Sequence, residues 1–137
     1  MKAVLDSSVL FSALLRPSAA TKELFRHARQ GHFALCLSEA ILQETAEALL
    51  RKLGQFDYSR DEVIEFITLL STVATVVDDL PEIPPMCRDP DDDHVLAAAL
   101  AAGAEVIVTG DTDLLTLGRY EGVRILSVRT FLDELKR

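Results

Sequence analysis

The sequence predicts an α/β fold with a largely parallel sheet of about five strands flanked by helices. Two observations carry this. Short apolar runs rich in β-branched residues alternate along the chain with stretches of helical period. Gly and Pro stand at the joins, with Pro17, Gly31, Gly54 and Gly103 each where a helical pattern stops. No repeat, low-complexity tract or linker interrupts the pattern, so residues 1–137 read as one domain.

Lys2-Ala3-Val4-Leu5 reads as a buried strand that stops at an acid, Asp6. A helix follows from about Val9 to Leu15, and Thr21 to Gln30 reads as a second. In the latter, Leu24, Phe25 and Ala28 share one face while Lys22, Arg26 and Arg29 share the other at i, i+4, i+7. Phe33 to Leu37 is the second strand, and Ser38 suits the N-cap of a long helix reaching about Leu53. A further helix spans roughly Arg60 to Ser71, and Thr72 to Val77 reads as the third strand. The Pro- and Asp-rich stretch 78–85 is a loop. Asp89 then fits an N-cap and Pro90 the first helical position of an Ala- and Leu-rich helix that ends near Gly103. Strand four is Glu105 to Thr109, followed by a short helix over about Asp113 to Leu117. Strand five is Val123 to Ser127, and a closing helix covers Thr130 to Lys136.

Composition narrows the class. With 49% hydrophobic and 26% charged residues the chain can bury a core and is not disordered. No apolar run approaches the roughly 20 residues of a membrane span. The N-terminus lacks the longer apolar region of a signal peptide, so a cytoplasmic protein with no membrane partner is expected. Cys36 and Cys87 form no C-x-x-C, which suggests neither a zinc site nor a redox motif, and Cys36 reads as core. The net charge of −8 is unevenly spread. Residues 1–60 carry eight basic and six acidic groups, residues 61–137 six basic and sixteen acidic. Part of that acidity can be solvated surface that keeps the protein soluble. Carboxylates that do not face solvent, however, repel one another unless a cation sits among them.

Four acids resist a purely structural reading. Asp6 and Asp111 both fall just beyond the C-terminal ends of strands, where open parallel sheets bind ligands; capping of the next helix is the plainer alternative for each. Glu44 has Ile41, Ala40 and Ala48 as helical neighbours and so projects from an apolar stripe, unless it reaches solvent at the stripe's edge. In Asp89-Pro90-Asp91-Asp92-Asp93-His94, Asp93 lies above Leu96, Ala97 and Leu100, the face expected to pack on the sheet. Asp93 is therefore favoured over Asp92, and His94 is read as surface. Glu47 and Arg51 are read as a surface pair.

A cluster of Asp6, Glu44, Asp93 and Asp111 points to a hard divalent cation, Mg²⁺ or Mn²⁺, which takes oxygen ligands and keeps several waters. Such a site suits phosphodiester hydrolysis, and a second ion about 4 Å from the first would stabilise the leaving oxygen. Asp113 could serve that second ion. Ser8 could hydrogen-bond a ligand water or a phosphate. The Lys22, Arg26 and Arg29 face could contact an RNA backbone and offset its repulsion by the acidic half, or could simply be solvated.

These residues also resemble a known family. Val4-Leu5-Asp6-Ser7-Ser8-Val9-Leu10, the Glu44 helix, the run Asp89 to Ala99, and Val108-Thr109-Gly110-Asp111-Thr112-Asp113-Leu114-Leu115 together are similar to the PIN-domain nucleases, and within them to bacterial toxin-like proteins related to the VapC toxins. The resemblance spans essentially the whole chain. It implies a Rossmann-like three-layer α/β/α sandwich and metal-dependent RNA cleavage. It places the family's four acids on Asp6, Glu44, Asp93 and Asp111, with Ser8 where many members carry Asn. It further implies the toxin of a toxin–antitoxin system, a small antitoxin as partner, and a homodimer.

Two other readings compete. A haloacid-dehalogenase-like phosphatase or a response-regulator receiver also ends strand one on an acid. The first needs a second acid where Ser8 stands, and the second a lysine after a late strand that is absent here. A catalytically silent module of the same fold, using the basic face for a partner, is opposed by the four retained acids.

Overall fold

The structure is a computed structural model that describes residues 1–137. Its strands are β1 (Lys2–Leu5), β2 (Ala34–Ser38), β3 (Thr75–Val77), β4 (Val106–Val108), β5 (Arg119–Tyr120) and β6 (Val123–Leu126). Its helices are α1 (Ser7–Leu15), α2 (Ala19–Arg29), α3 (Glu39–Arg51), α4 (Arg60–Val73), α5 (Asp93–Ala102), α6 (Thr112–Leu117) and α7 (Val128–Leu135). One sheet holds all six strands in the order β3-β2-β1-β4-β6-β5. Every pair is parallel except β5 with β6.

The expected strands and helices are present with some ends shifted, and two differences concern the sheet. A sixth strand, β5, closes a hairpin onto β6 through Glu121 and Gly122, both at positive φ (49° and 80°). Two residues at positive φ give the turn whose twist matches a hairpin, but a two-residue strand has no period to read. The third strand is also shorter than expected, because α4 continues through Ser71, Thr72 and Val73 before Ala74 turns the chain into it.

Side-chain caps set the helix starts. Ser18 and Thr21 form a capping box on α2, as do Ser59 and Glu62 on α4, and Ser38 accepts from the Ile41 N–H at the head of α3. Gly103 at φ 65° ends α5 in the left-handed conformation that glycine adopts without strain.

The chain leaves β1 toward β2 and β3, then returns to β4 on the other side of β1. Right-handed crossovers place α1–α4 on one face and α5 on the other. The packing agrees: α3 contacts α1 and α4, α7 packs on α2, and α5 lies against β1, β2 and β4. Val95 to Ala99 of α5 are all buried, and three consecutive alanines let that helix lie close to the sheet. Phe33 and Phe131 meet edge-to-face at 5.0 Å on the opposite side of the core. No helix is long and apolar enough to cross a membrane. The reversal of strand order falls between β1 and β4, and a ligand crevice forms beyond the C-terminal ends of strands at such a reversal.

Candidate active site

Asp6 follows β1 and caps α1. Its N–H continues the sheet by donating to the Val108 carbonyl at 3.0 Å. The residue is 4% exposed, and both carboxylate oxygens accept hydrogen bonds. Oδ1 accepts from the Ser7 N–H at 2.8 Å, and Oδ2 accepts from Thr109 Oγ1 at 2.7 Å and from Ser8 Oγ at 3.0 Å. The buried Thr109 hydroxyl also accepts from the Asp111 N–H at 2.9 Å, while Ser8 Oγ accepts from the Gly110 N–H at 3.1 Å. The exits from β1 and β4 are thereby tied together. A Cβ on Gly110 would meet Ser8 Oγ at 3.7 Å, ordinary van der Waals contact, so the tie does not itself require glycine there.

Asp111 caps α6 by accepting from the Asp113 N–H at 3.0 Å. Carboxylate oxygens of Asp92, Asp111 and Asp113 all lie within 4.8 Å of one another. Asp92 and Asp111 line one cleft of about 360 Å³ together with Asp6, Ser7, Ser8, Phe11, Ala48, Arg51 and Lys52. None of the four carboxylates has a basic side chain within salt-bridge distance. Burial, and then the adjoining Asp111, Asp89 and Asp6, push the Asp92 carboxyl up to about 7. An all-oxygen donor set that makes no ion pair with a basic side chain fits a hard divalent cation; Asp92, Asp111 and Asp113 would hold it, with Asp6 alongside.

Spacing favours Asp93 over Asp92, but the structure brings Asp92 to the other acids instead. Pro90–Asp92 form a 3-10 turn before α5 begins at Asp93. That tighter winding rotates the two acids relative to a continuous helix. Asp93 turns to the preceding loop, where it accepts from the Cys87 N–H at 2.8 Å and the Met86 N–H at 3.3 Å. Burial opposes its ionisation, but these donors outweigh that and hold it below the ordinary carboxylate range.

Glu44 stands beside the cluster rather than in it. Its Oε1 accepts a hydrogen bond from Ser7 Oγ, and its Oε2 lies 3.2 Å from His94 Nε2. Its side chain remains 41% exposed. His94, expected at the surface, therefore joins α5 to α3, and its Nδ1 is buried without a partner.

The basic face of Lys22, Arg26 and Arg29, expected to contact an RNA backbone or to be solvated, does not border the acidic cleft. Lys22 and Arg29 border an apolar groove between α2 and α4 with Phe25, Phe66, Leu69 and Val73. Arg26 engages Glu23 and Gln30. None of the three lines the acidic cleft. The cations that do are Arg51 and Lys52, at the C-terminal end of α3. Arg51 is not paired with Glu47, which instead accepts from the Gln43 amide at 3.0 Å. The Ser8 hydroxyl, expected to meet a ligand, is committed to Asp6 and Gly110.

Thr109, Ser7 and Asp92 thus stand at or beside this cleft, and residue spacing does not single them out. Thr109 had a signal in its position between a strand and Asp111; Ser7 had none.

The chain matches the family model described as PIN domain over residues 2–113. No curated protein matches it. Among solved structures it is similar to VapBC2 from Rickettsia felis bound to a DNA fragment from their promoter, at 12% identity and TM-score 0.63, covering 93% of this chain and 98% of that one. It is similar to PAE2754 from Pyrobaculum aerophilum at 18% identity and TM-score 0.60, covering 99% and 90%. It is similar to VapC20 of Mycobacterium tuberculosis, described as a Sarcin-Ricin loop cleaving toxin, at 19% identity and TM-score 0.58, covering 89% and 98%. With a family model covering most of its length and an α/β/α sandwich of mostly parallel strands, the chain belongs to the PIN-domain family.

Proposed function

We propose that the protein is a Mg²⁺- or Mn²⁺-dependent endoribonuclease acting at the cleft of Asp6, Asp92, Asp111 and Asp113. The observation that carries this reading is the meeting of Asp92, Asp111 and Asp113 beside Asp6, at the reversal of strand order, with no basic side chain within salt-bridge distance of them. A divalent cation bound there supplies Lewis-acid chemistry, activating water near neutral pH and neutralising charge on the phosphate. The chain's own residues do the positioning. Ser7, Ser8 and Thr109 fix the Asp6 carboxylate by three hydrogen bonds, so its orientation needs no rearrangement when substrate arrives. The α6 cap holds Asp111 against Asp113. Glu44, steadied by Ser7 and His94, stands at the edge, where it can accept a proton from an incoming water.

The description of VapC20 as a cleaving toxin and the pairing of VapBC2 with promoter DNA support a toxin role in a toxin–antitoxin system, with a small antitoxin as partner. A homodimer and action in the cytoplasm complete the reading. The test is incubation of purified protein with RNA in Mn²⁺ or Mg²⁺. Internal cleavage that EDTA and Asp92→Asn each abolish is expected; cleavage that survives both would place the chemistry elsewhere. Co-purification with the product of the adjoining reading frame tests the antitoxin, and light scattering the dimer.

A further inference from the structure

At the other end of the sheet from the acids, α2 runs into β2 through a turn that brings two histidines together. His27 lies in the last turn of α2, and His32 stands just before β2. The His32 N–H donates to the His27 carbonyl at 3.0 Å, and Gly31, at φ 77°, reverses the chain between them. The two rings meet with Nδ1 of one 2.7 Å from Nδ1 of the other. His27 is 7% exposed, while His32 is open to solvent.

Two ring nitrogens of the same kind thus point their lone pairs at one place, and these repel unless a positive centre lies between them. A proton carried by one ring and accepted by the other can serve. It leaves a cost elsewhere, because His27 Nε2 is buried without a hydrogen-bond partner. Glu23 Oε1 stands 3.8 Å from that nitrogen, too far for a hydrogen bond. Lys136, at the end of α7, lies 3.1 Å from the same oxygen and holds the Glu23 carboxyl below the ordinary range. An anchored carboxylate behind one ring nitrogen, with the other nitrogen aimed at a shared point, is the outer support of a metal-binding histidine.

We propose that His27 and His32 form a separate transition-metal site, binding Ni²⁺ or Cu²⁺ through both Nδ1 atoms. Imidazole suits these ions, whereas the hard ions that fit the acidic cleft prefer oxygen. Two metal–nitrogen bonds of about 2.0 Å at a right angle span about 2.9 Å, close to the separation already present; a tetrahedral angle needs about 3.3 Å. Ions that favour right angles therefore enter with the least movement, and Zn²⁺ must part the rings further. On binding, the proton shared by the rings passes to Nε2 of the ring that held it, so both Nδ1 lone pairs face the ion. Water fills the remaining positions on the open side of His32. The ion ties the end of α2 to the start of β2 and draws the His27 Nε2–H toward Glu23.

The chain has three histidines, and the third, His94, is engaged with Glu44, so substitutions assign the ion cleanly. The test is calorimetric titration of the untagged full chain with Ni²⁺ in excess Mg²⁺, which occupies the acids and leaves imidazole free. One Ni²⁺ per chain is expected. Glu23→Gln should weaken it about tenfold, and His32→Ala, which removes a ligand at an exposed position and so spares the fold, about a hundredfold or more. His94→Gln and Asp92→Asn should leave it unchanged. Ni²⁺ should raise the urea midpoint of the parent and not that of His32→Ala. Cu²⁺ should broaden the ring NMR signals of His27 and His32 and spare those of His94. The site is overturned if no Ni²⁺ binds in excess Mg²⁺, if His32→Ala binds it as the parent does, or if His94→Gln or Asp92→Asn removes the binding instead.

Discussion

The Thr109 hydroxyl donates to Asp6 Oδ2 at 2.7 Å across 103 positions of sequence, and both groups are buried. Because the same oxygen accepts from the Asp111 N–H, one hydroxyl sets the spacing of two acids carried by neighbouring strands. Thr109→Val keeps the shape and removes the hydroxyl. It leaves Asp6 with one donor fewer and the Asp111 N–H with none from this source, which should cost about 1–3 kcal/mol in denaturant unfolding. Loss of such a supporting bond should lower metal affinity or cleavage about 10- to 100-fold. Thr109→Ser should recover most of both. If Thr109→Val unfolds and cleaves like the parent, the coupling between Asp6 and Asp111 carries no function.

Asp92 and Asp93 are adjacent but face different tasks, so their asparagine variants should separate cleanly. Asp92→Asn removes an acid from the cluster. It should abolish cleavage while raising the melting temperature in EDTA, because it relieves repulsion from Asp111, Asp89 and Asp6. Asp93→Asn should do the reverse. It weakens charge-assisted bonds to the Cys87 and Met86 N–H groups, costing about 1 kcal/mol or more of stability, and keeps measurable cleavage. Equal loss of activity in the two variants would contradict the division of roles.

The pH dependence of the metal-free protein follows from the Asp92 shift. Its folded value near 7 is raised above the ordinary 3.8, so between about pH 4 and 7 the unfolded chain has released a proton that the folded chain still holds. Fewer protons on the unfolded state means that this group's contribution to stability falls as pH rises through that window, and levels off above it. Below pH 4 the penalty disappears. Mn²⁺ or Mg²⁺ should offset the loss at pH 7 by binding only the folded state, with release of a proton. Urea titrations at pH 4.5, 6 and 7.5, with EDTA and with Mn²⁺, check the sign. Asp92→Asn should flatten the EDTA series; an EDTA series in which Asp92 contributes no downward slope would argue against the clustered acids.

The fold was legible because its signals are local. β1, β2, β4 and β6 are short apolar runs, the cap Ser38 stands where serine is expected, and Gly103 closes α5. Position alone brought Asp6 and Asp111 into view, since both follow buried parallel strands. The rest of the site depends on angles that residue spacing does not carry. Asp92 and Asp93 trade places because three residues wind as a 3-10 turn, a difference of about 20° per residue from the α-helix. Lys22, Arg26 and Arg29 do share an exposed helical face, but which face of the molecule α2 presents is set by its packing on α7. Arg51 had a plausible partner in Glu47 at helical spacing, and only the Gln43 contact shows that Glu47 is engaged elsewhere.

Cys87 reports on Asp93 without reference to activity. Burial, and then the Asp93 carboxylate beside it, push the Cys87 thiol up to about 12, far from the range where thiolate forms at neutral pH. Burial alone pushes Cys36 upward, and that side chain is 1% exposed. Both thiols should therefore react slowly with a disulfide reagent at pH 8, since the thiolate is the nucleophile. Cys87 is the more accessible and should be the faster of the two. Asp93→Asn removes a negative charge from the thiol and loosens the 86–87 loop, so Cys87 should react several-fold faster while Cys36 is unchanged. Asp92→Asn, which reaches the thiol through charge alone and not through a hydrogen bond, should shift Cys87 less. Labelling followed by mass spectrometry resolves the two sites. An Asp92→Asn effect larger than that of Asp93→Asn would mean that the two carboxylates are oriented the other way round, with Asp93 and not Asp92 facing Asp111.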